Sequence, residues 1–116
     1  MSITLPLPFS ECLAPLRREL TRQGLETAVE WNSALDVRDS MGTQLTDLRC
    51  FFVFDPLSLL HHSYASHPAA ALATLTLRAD DSTTTVTVHG SGISYRKARR
   101  AVARCLQTMA HLRHAA

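Results

Sequence analysis

Apolar and polar side chains alternate in the opening Ser2–Pro6 stretch, SITLP, which predicts a short strand stopped by Pro6 and Pro8. The period then lengthens: Leu13, Leu16 and Leu20 recur at helical spacing behind a Ser10 cap. Pro15 should kink the first turns of that helix or delay its true start, and Gly24 should close it in a left-handed conformation. LETAVEW returns to alternation, with Leu25, Thr27, Val29 and Trp31 expected on one face of a half-buried strand. Asn32 or Ser33 can cap a second, short helix carrying Leu35, Val37 and Met41 and stopped by Gly42. LRCFFVF, Leu48 to Phe54, is nearly continuously apolar and too short for a buried helix. It predicts a strand covered on both faces at the centre of the sheet.

Asp55-Pro56 then reads as a helix start, an acceptor side chain at the cap followed by proline at the first helical position. That third helix ends at His67-Pro68. A hairpin follows: Leu72, Thr74 and Thr76, then Thr83, Thr85 and Thr87, alternate with their neighbours around the turn Asp80-Asp81-Ser82. After the glycines of GSG, Ser94 can cap a last helix over 94–114. Its Ala98, Val102, Cys105, Met109 and Leu112 form a narrow apolar seam. The pattern predicts one α+β domain over residues 1–116, in the order β-α-β-α-β-α-β-β-α. Its sheet is antiparallel or mixed, of about four to five strands, with helices packed against it.

Composition supports that reading. With 116 residues, 46% of them hydrophobic, the chain can build one core without metal or disulfide help. Cys12, Cys50 and Cys105 are odd in number and widely spaced, so they are expected to be small buried groups in a reducing compartment. The N-terminal stretch has no export-signal pattern, and nowhere do about 18 apolar residues run together. The expectation is a cytoplasmic protein that does not enter a membrane.

Charge is unevenly distributed. From Ile93 onward there are six basic residues, Arg96, Lys97, Arg99, Arg100, Arg104 and Arg113, and no acid; the preceding chain carries a net −4. Such polarity can signal an acidic partner or nucleic acid. A nucleic-acid role is disfavoured because no aromatic residue is interleaved for base stacking. The plainer expectation is a solvated helix face with cations near a carboxyl end.

Candidate chemistry is sparse. Six histidines are present, His61, His62, His67, His89, His111 and His114, and imidazole commonly binds transition metals. Yet His61 and His62 point about 100° apart on a helix and His67 lies five residues beyond His62, so the three make no intrahelical ligand pair. There is no nucleophile elbow, phosphate loop or dinucleotide fingerprint, and GSG is too short to cradle a diphosphate. An enzyme is therefore disfavoured. Phe52, Phe54, Tyr64 and Trp31 could line a small apolar pocket with His61 as a polar contact, although core filling is the plainer role for such aromatics. The apolar seam of the last helix, flanked by arginines, could serve as a subunit contact.

Three stretches carry a family resemblance: LPLPFSECLAPLRRELTRQGLETAVEWNSALDVRDSMG, FFVFDPLSLLHHSYASHP and ALATLTLRADDSTTTVTV. The first is similar to the opening of the domain-of-unknown-function 302 family, a Leu-Pro-rich strand leading into an amphipathic helix, a Gly-Leu turn and a second strand. The others resemble that family's strand into an Asp-Pro or Asn-Pro helix start and its following hairpin. The resemblance covers roughly Ile3 to Val88 and implies an antiparallel sheet with packed helices, a homodimer and no established reaction. Many members carry cysteines where this chain has Phe54 and, approximately, Ala73, so a thiolate role at those positions is not carried over. The resulting expectation is a small cytoplasmic, dimeric accessory or small-ligand-binding protein. The alternative is a metal or haem protein using His61, His62 or His67.

Overall fold

The computed structural model describes residues 1–32, 48–57, 72–80 and 82–115. Their elements run β1 (Ser2–Leu5), α1 (Phe9–Arg22), β2 (Glu26–Asn32), β3 (Leu48–Phe54), β4 (Leu72–Asp80), β5 (Thr83–Gly90) and α2 (Gly92–Ala115). The α+β expectation holds. All pairings are antiparallel, in the order β1-β5-β4-β3-β2. The helix expected over residues 33–41 lies outside the described residues. Of the helix after Asp55, only its first residues, Pro56 and Leu57, are within them.

Helix α1 starts two residues earlier than expected. Pro8, in extended conformation, takes the cap position without a side-chain hydrogen bond, and Ser10 lies inside the helix. Proline serves there because its fixed φ leads the chain in and its missing N–H is no loss at a helix start. Pro15 is accommodated within the same helix. The helix ends as the glycine predicts. Gly24 has φ +78°, its N–H donates to the Thr21 carbonyl at 2.9 Å, and the Leu25 N–H reaches back to Leu20 at 3.0 Å. This is a Schellman closure, and the buried Leu20 and Leu25 supply the apolar contact that accompanies it.

The simple alternation predicted for β2 fails at one residue. Thr27 pairs with Val53 but Val29 pairs with Phe52, so Ala28 is an extra residue between them. Cross-strand partners share a face, so the bulge sends Val29 to the opposite side from Thr27. Val29 is consequently 54% exposed.

β3 is also displaced from its expected place. The central strand is β4, with β3 beside it. In β3 only Phe51 and Val53 are buried, while Phe52 and Phe54 are partly exposed. The continuous apolar run therefore does not mean burial on both faces. Both helices lie on one side, where Leu5, Leu16, Leu20, Phe51, Val53, Leu75, Leu77, Val86 and Val88 form the core with the seam of α2.

That seam is consumed within the chain. Ala98, Val102, Cys105 and Met109 are each at most 3% exposed, packed into the same core, so these four are not available as a subunit contact; the side chain of Leu112 lies outside the described residues. Long amphipathic helices bury their apolar stripe against the nearest apolar surface, which here is α1 and the sheet. Gly90 joins β5 to α2 at φ +134°, and a Cβ there would stand 3.2 Å from the Leu72 carbonyl oxygen. Only glycine permits this approach.

Candidate functional site

Register places the residues of the sheet in rows that cross its open face, the side turned away from both helices. One row runs Val29, Phe52, Thr74, His89; the next pairs Phe54 with Leu72. A third runs Cys50, Thr76, Thr87, Ser2, and a fourth Leu48, Arg78, Thr85, Thr4. The face is thus divided. Its β2–β3 side presents Val29, Phe52 and Phe54, with Glu26 opposite Phe54 and Leu72 beside them on β4, whereas β4, β5 and β1 present mainly hydroxyls, with Arg78 and His89 among them. Ser2 and Thr87 hydroxyls meet at 3.0 Å, and a depression of ≈ 470 Å³ opens between Leu48, Thr76, Arg78, Thr85 and Ser2.

Of the predicted pocket residues, Phe52 and Phe54 share this open face. Trp31 stands opposite Cys50 in the β2–β3 register. His61 and Tyr64 lie outside the described residues, as do His62 and His67, so the metal reading falls on a segment that is not described. His89 is exposed on the open face and His111 is exposed on α2. Among the described residues no three His, Cys, Asp or Glu side chains come together as a metal would require.

The cysteines divide as well. Cys12 and Cys105 are wholly buried, as expected, whereas Cys50 is half-buried on the open face with its sulfur 3.9 Å from the Thr76 hydroxyl. Burial pushes the Cys105 thiol up to about 11, with Cys12 and Glu19 nearby acting in the same direction. Burial likewise raises Cys12, partly offset by a hydrogen bond with Thr84. Thiols so held stay protonated near neutrality and are poor nucleophiles.

Charged groups on the helix side are mostly engaged in holding elements together. Asp55 is buried. Its backbone N–H donates to the Ser94 hydroxyl at 3.2 Å, its Oδ1 accepts the Leu57 N–H at 3.0 Å, and its Oδ2 accepts Lys97 Nζ at 2.6 Å. Asp55 therefore does cap the chain after β3, as its sequence position indicates. Ser94 does not cap α2, which begins at Gly92; it is a buried tie to β3 instead. Glu30 joins Arg17 and Arg49, and the Arg49 guanidinium lies 5.5 Å from the Phe9 ring centre. Glu19 is buried, with Oε1 accepting from Arg22 at 2.9 Å and Oε2 lacking a hydrogen bond, 3.9 Å from Arg104.

The basic C-terminal segment departs from expectation. Arg96, Arg99 and Arg100 fall in the N-terminal half of α2, with only Arg104 and Arg113 farther along. They stand nearer the amino end of the helix than its carboxyl end, so the helix macrodipole does not favour these cations. The three arginines line one concavity, a feature the i, i+3, i+4 spacing of residues 96, 99 and 100 foreshadows.

No model of a known protein family matches the chain, and no curated protein matches it by sequence. A solved structure does: the crystal structure of an uncharacterized conserved protein, DUF302, from Bacillus stearothermophilus. The likeness has a TM-score of 0.67 at 12% identity and covers 94% of this chain and 96% of that one. The chain is thus similar in fold to that domain-of-unknown-function 302 protein over nearly its whole length, in line with the resemblance carried by its Leu-Pro opening, its Asp-Pro helix start and its hairpin.

Proposed function

We propose that the protein is a cytoplasmic, non-enzymatic accessory module that binds a small apolar ligand on the open face of its sheet and works as a homodimer. The observation that carries this reading is the placement of Phe52 and Phe54, with the exposed Val29, on the face turned from both helices. An apolar patch next to hydroxyl groups suits a ligand that is mostly apolar with a few polar contacts. The dimer contact falls on the same face in this reading, because the seam of α2 is already used in the core. Three free cysteines suit a reducing compartment.

The test is sedimentation of the purified full chain together with fluorescence titration by Nile red, a neutral apolar probe. A dimer that binds the probe, and loses that binding in Phe54→Ser while keeping its fold, supports the reading. A monomer that ignores the probe removes it. An absorption spectrum and elemental analysis of the same sample add a second arm: a Soret band or stoichiometric metal lost in His61→Ala would replace this reading by metal or haem binding.

A further inference from the structure

Lys97 is neutralised by Asp55 at 2.6 Å, but among the described residues its neighbours Arg96, Arg99 and Arg100 have no such carboxylate. Arg96, Arg99 and Arg100 are exposed, and among the described residues none of them forms an ion pair with a carboxylate. The first turn of α2 contains no acid to offset them. Like charges so close repel one another, and nothing in the described part of the chain compensates. They converge on a cavity of ≈ 490 Å³ between α2 and edge strand β1, completed by Met1, Ile3 and Ala103. Arg99 is steadied by its guanidinium lying 5.5 Å from the centre of the Tyr95 ring, one turn earlier.

We propose that this groove is a binding site for a soluble phosphate ester. Three guanidinium groups on one wall match the geometry and charge of a phosphate, whose oxygens accept paired N–H donors. Met1 and Ile3 on the β1 side, with Ala103 on α2 itself, give the groove apolar surface that suits the organic part of the ester. The cavity has the size of a small-molecule site. Ile3 pairs with buried Val86, so the groove opens on the helix side of the sheet. It is separate from the Phe52 and Phe54 surface and does not depend on it.

The experiment is a titration of the full chain at low salt with phenyl phosphate and with inorganic phosphate, followed by backbone amide shifts in NMR. Phenyl phosphate should bind more tightly than inorganic phosphate, with shifts confined to residues near Ile3 and to the stretch from Arg96 to Ala103. Replacing Arg99 or Arg100 by Gln should weaken binding about tenfold each, the usual effect of losing a charge-assisted hydrogen bond. Arg99→Lys, which keeps the charge but not the planar fork, should also weaken it. Arg18→Gln, on exposed α1 surface, should leave it unchanged. All three replaced side chains, Arg18, Arg99 and Arg100, are exposed, so the unfolding midpoint should stay put and separate lost binding from lost fold. Equal weakening by Arg18→Gln would overturn the proposal, as would binding only to a generic DNA duplex or to vesicles of mixed phosphatidylserine and phosphatidylcholine. So would the absence of any phosphate binding with increased self-association of Arg99→Gln, which would make the arginines guards of the β1 edge.

Discussion

Lys97 Nζ lies 2.6 Å from Asp55 Oδ2, and this ion pair fastens the end of β3 to the opening turns of α2. Ser94, accepting the Asp55 N–H, makes a second tie between the same two elements. Removing one partner of a buried pair leaves the other charge desolvated. Lys97→Met is therefore expected to cost about 2 to 3 kcal/mol, read as a lower urea midpoint at unchanged slope. The double variant Asp55→Asn with Lys97→Met should recover part of that loss, because the orphaned carboxylate is gone. A single-variant loss under about 0.5 kcal/mol would instead mark the pair as solvent-screened.

Adjacent phenylalanines should respond by very different amounts. Phe51 is fully buried beneath the helices, so Phe51→Ala is expected to destabilise by about 3 to 5 kcal/mol. Phe52 faces the open side and is only partly buried, so Phe52→Ala should cost about 1 kcal/mol. Urea unfolding of the two variants decides it. Similar losses would mean that the open face of β3 is as tightly covered as the core.

The two glycines at element ends differ in what surrounds them. At Gly24 the left-handed φ is the main obstacle and the space is open, the nearest atom to a new Cβ being Lys97 Nζ at 3.8 Å. Gly24→Ala should cost about 1 kcal/mol. At Gly90 the positive φ is joined by backbone contacts at 3.2 and 3.3 Å, and Gly90→Ala should cost about 2 to 3 kcal/mol. Thermal unfolding that ranks Gly24→Ala as the worse variant would contradict this account.

Alkali should destabilise the fold through Cys105. Its thiol is raised from 9.0 to about 11 by burial, so the folded chain holds that proton more tightly than the unfolded chain does. Below pH 9.0 both states are protonated and this group adds no pH dependence. Between 9.0 and about 11 the unfolded state ionises first, so stability falls as pH rises, by on the order of 2 to 3 kcal/mol in total. Cys12, shifted in the same direction, adds to the decline. Cys105→Ala should flatten the slope of stability against pH over that window; an unchanged slope would assign the alkaline loss to other groups.

Local patterning along the chain was sufficient for several elements. Helix α1 with its Gly24 closure, the β4–β5 hairpin and the seam of α2 all follow from spacing and turn residues, because each is decided by neighbours a few positions apart. The order of strands, the Ala28 bulge that sends Val29 outward, and the open side of Phe52 and Phe54 depend on pairings between distant segments. Periodicity marks an apolar residue but not which surface will meet it. Sequence likewise showed the basic segment and the Asp-Pro start, whereas only the assembled fold brought Lys97 onto Asp55 and set three arginines against β1. The physical reason is common to all of these. Side-chain direction within an element is a local property, while the partner that neutralises, covers or leaves open a side chain is chosen by packing across the whole chain.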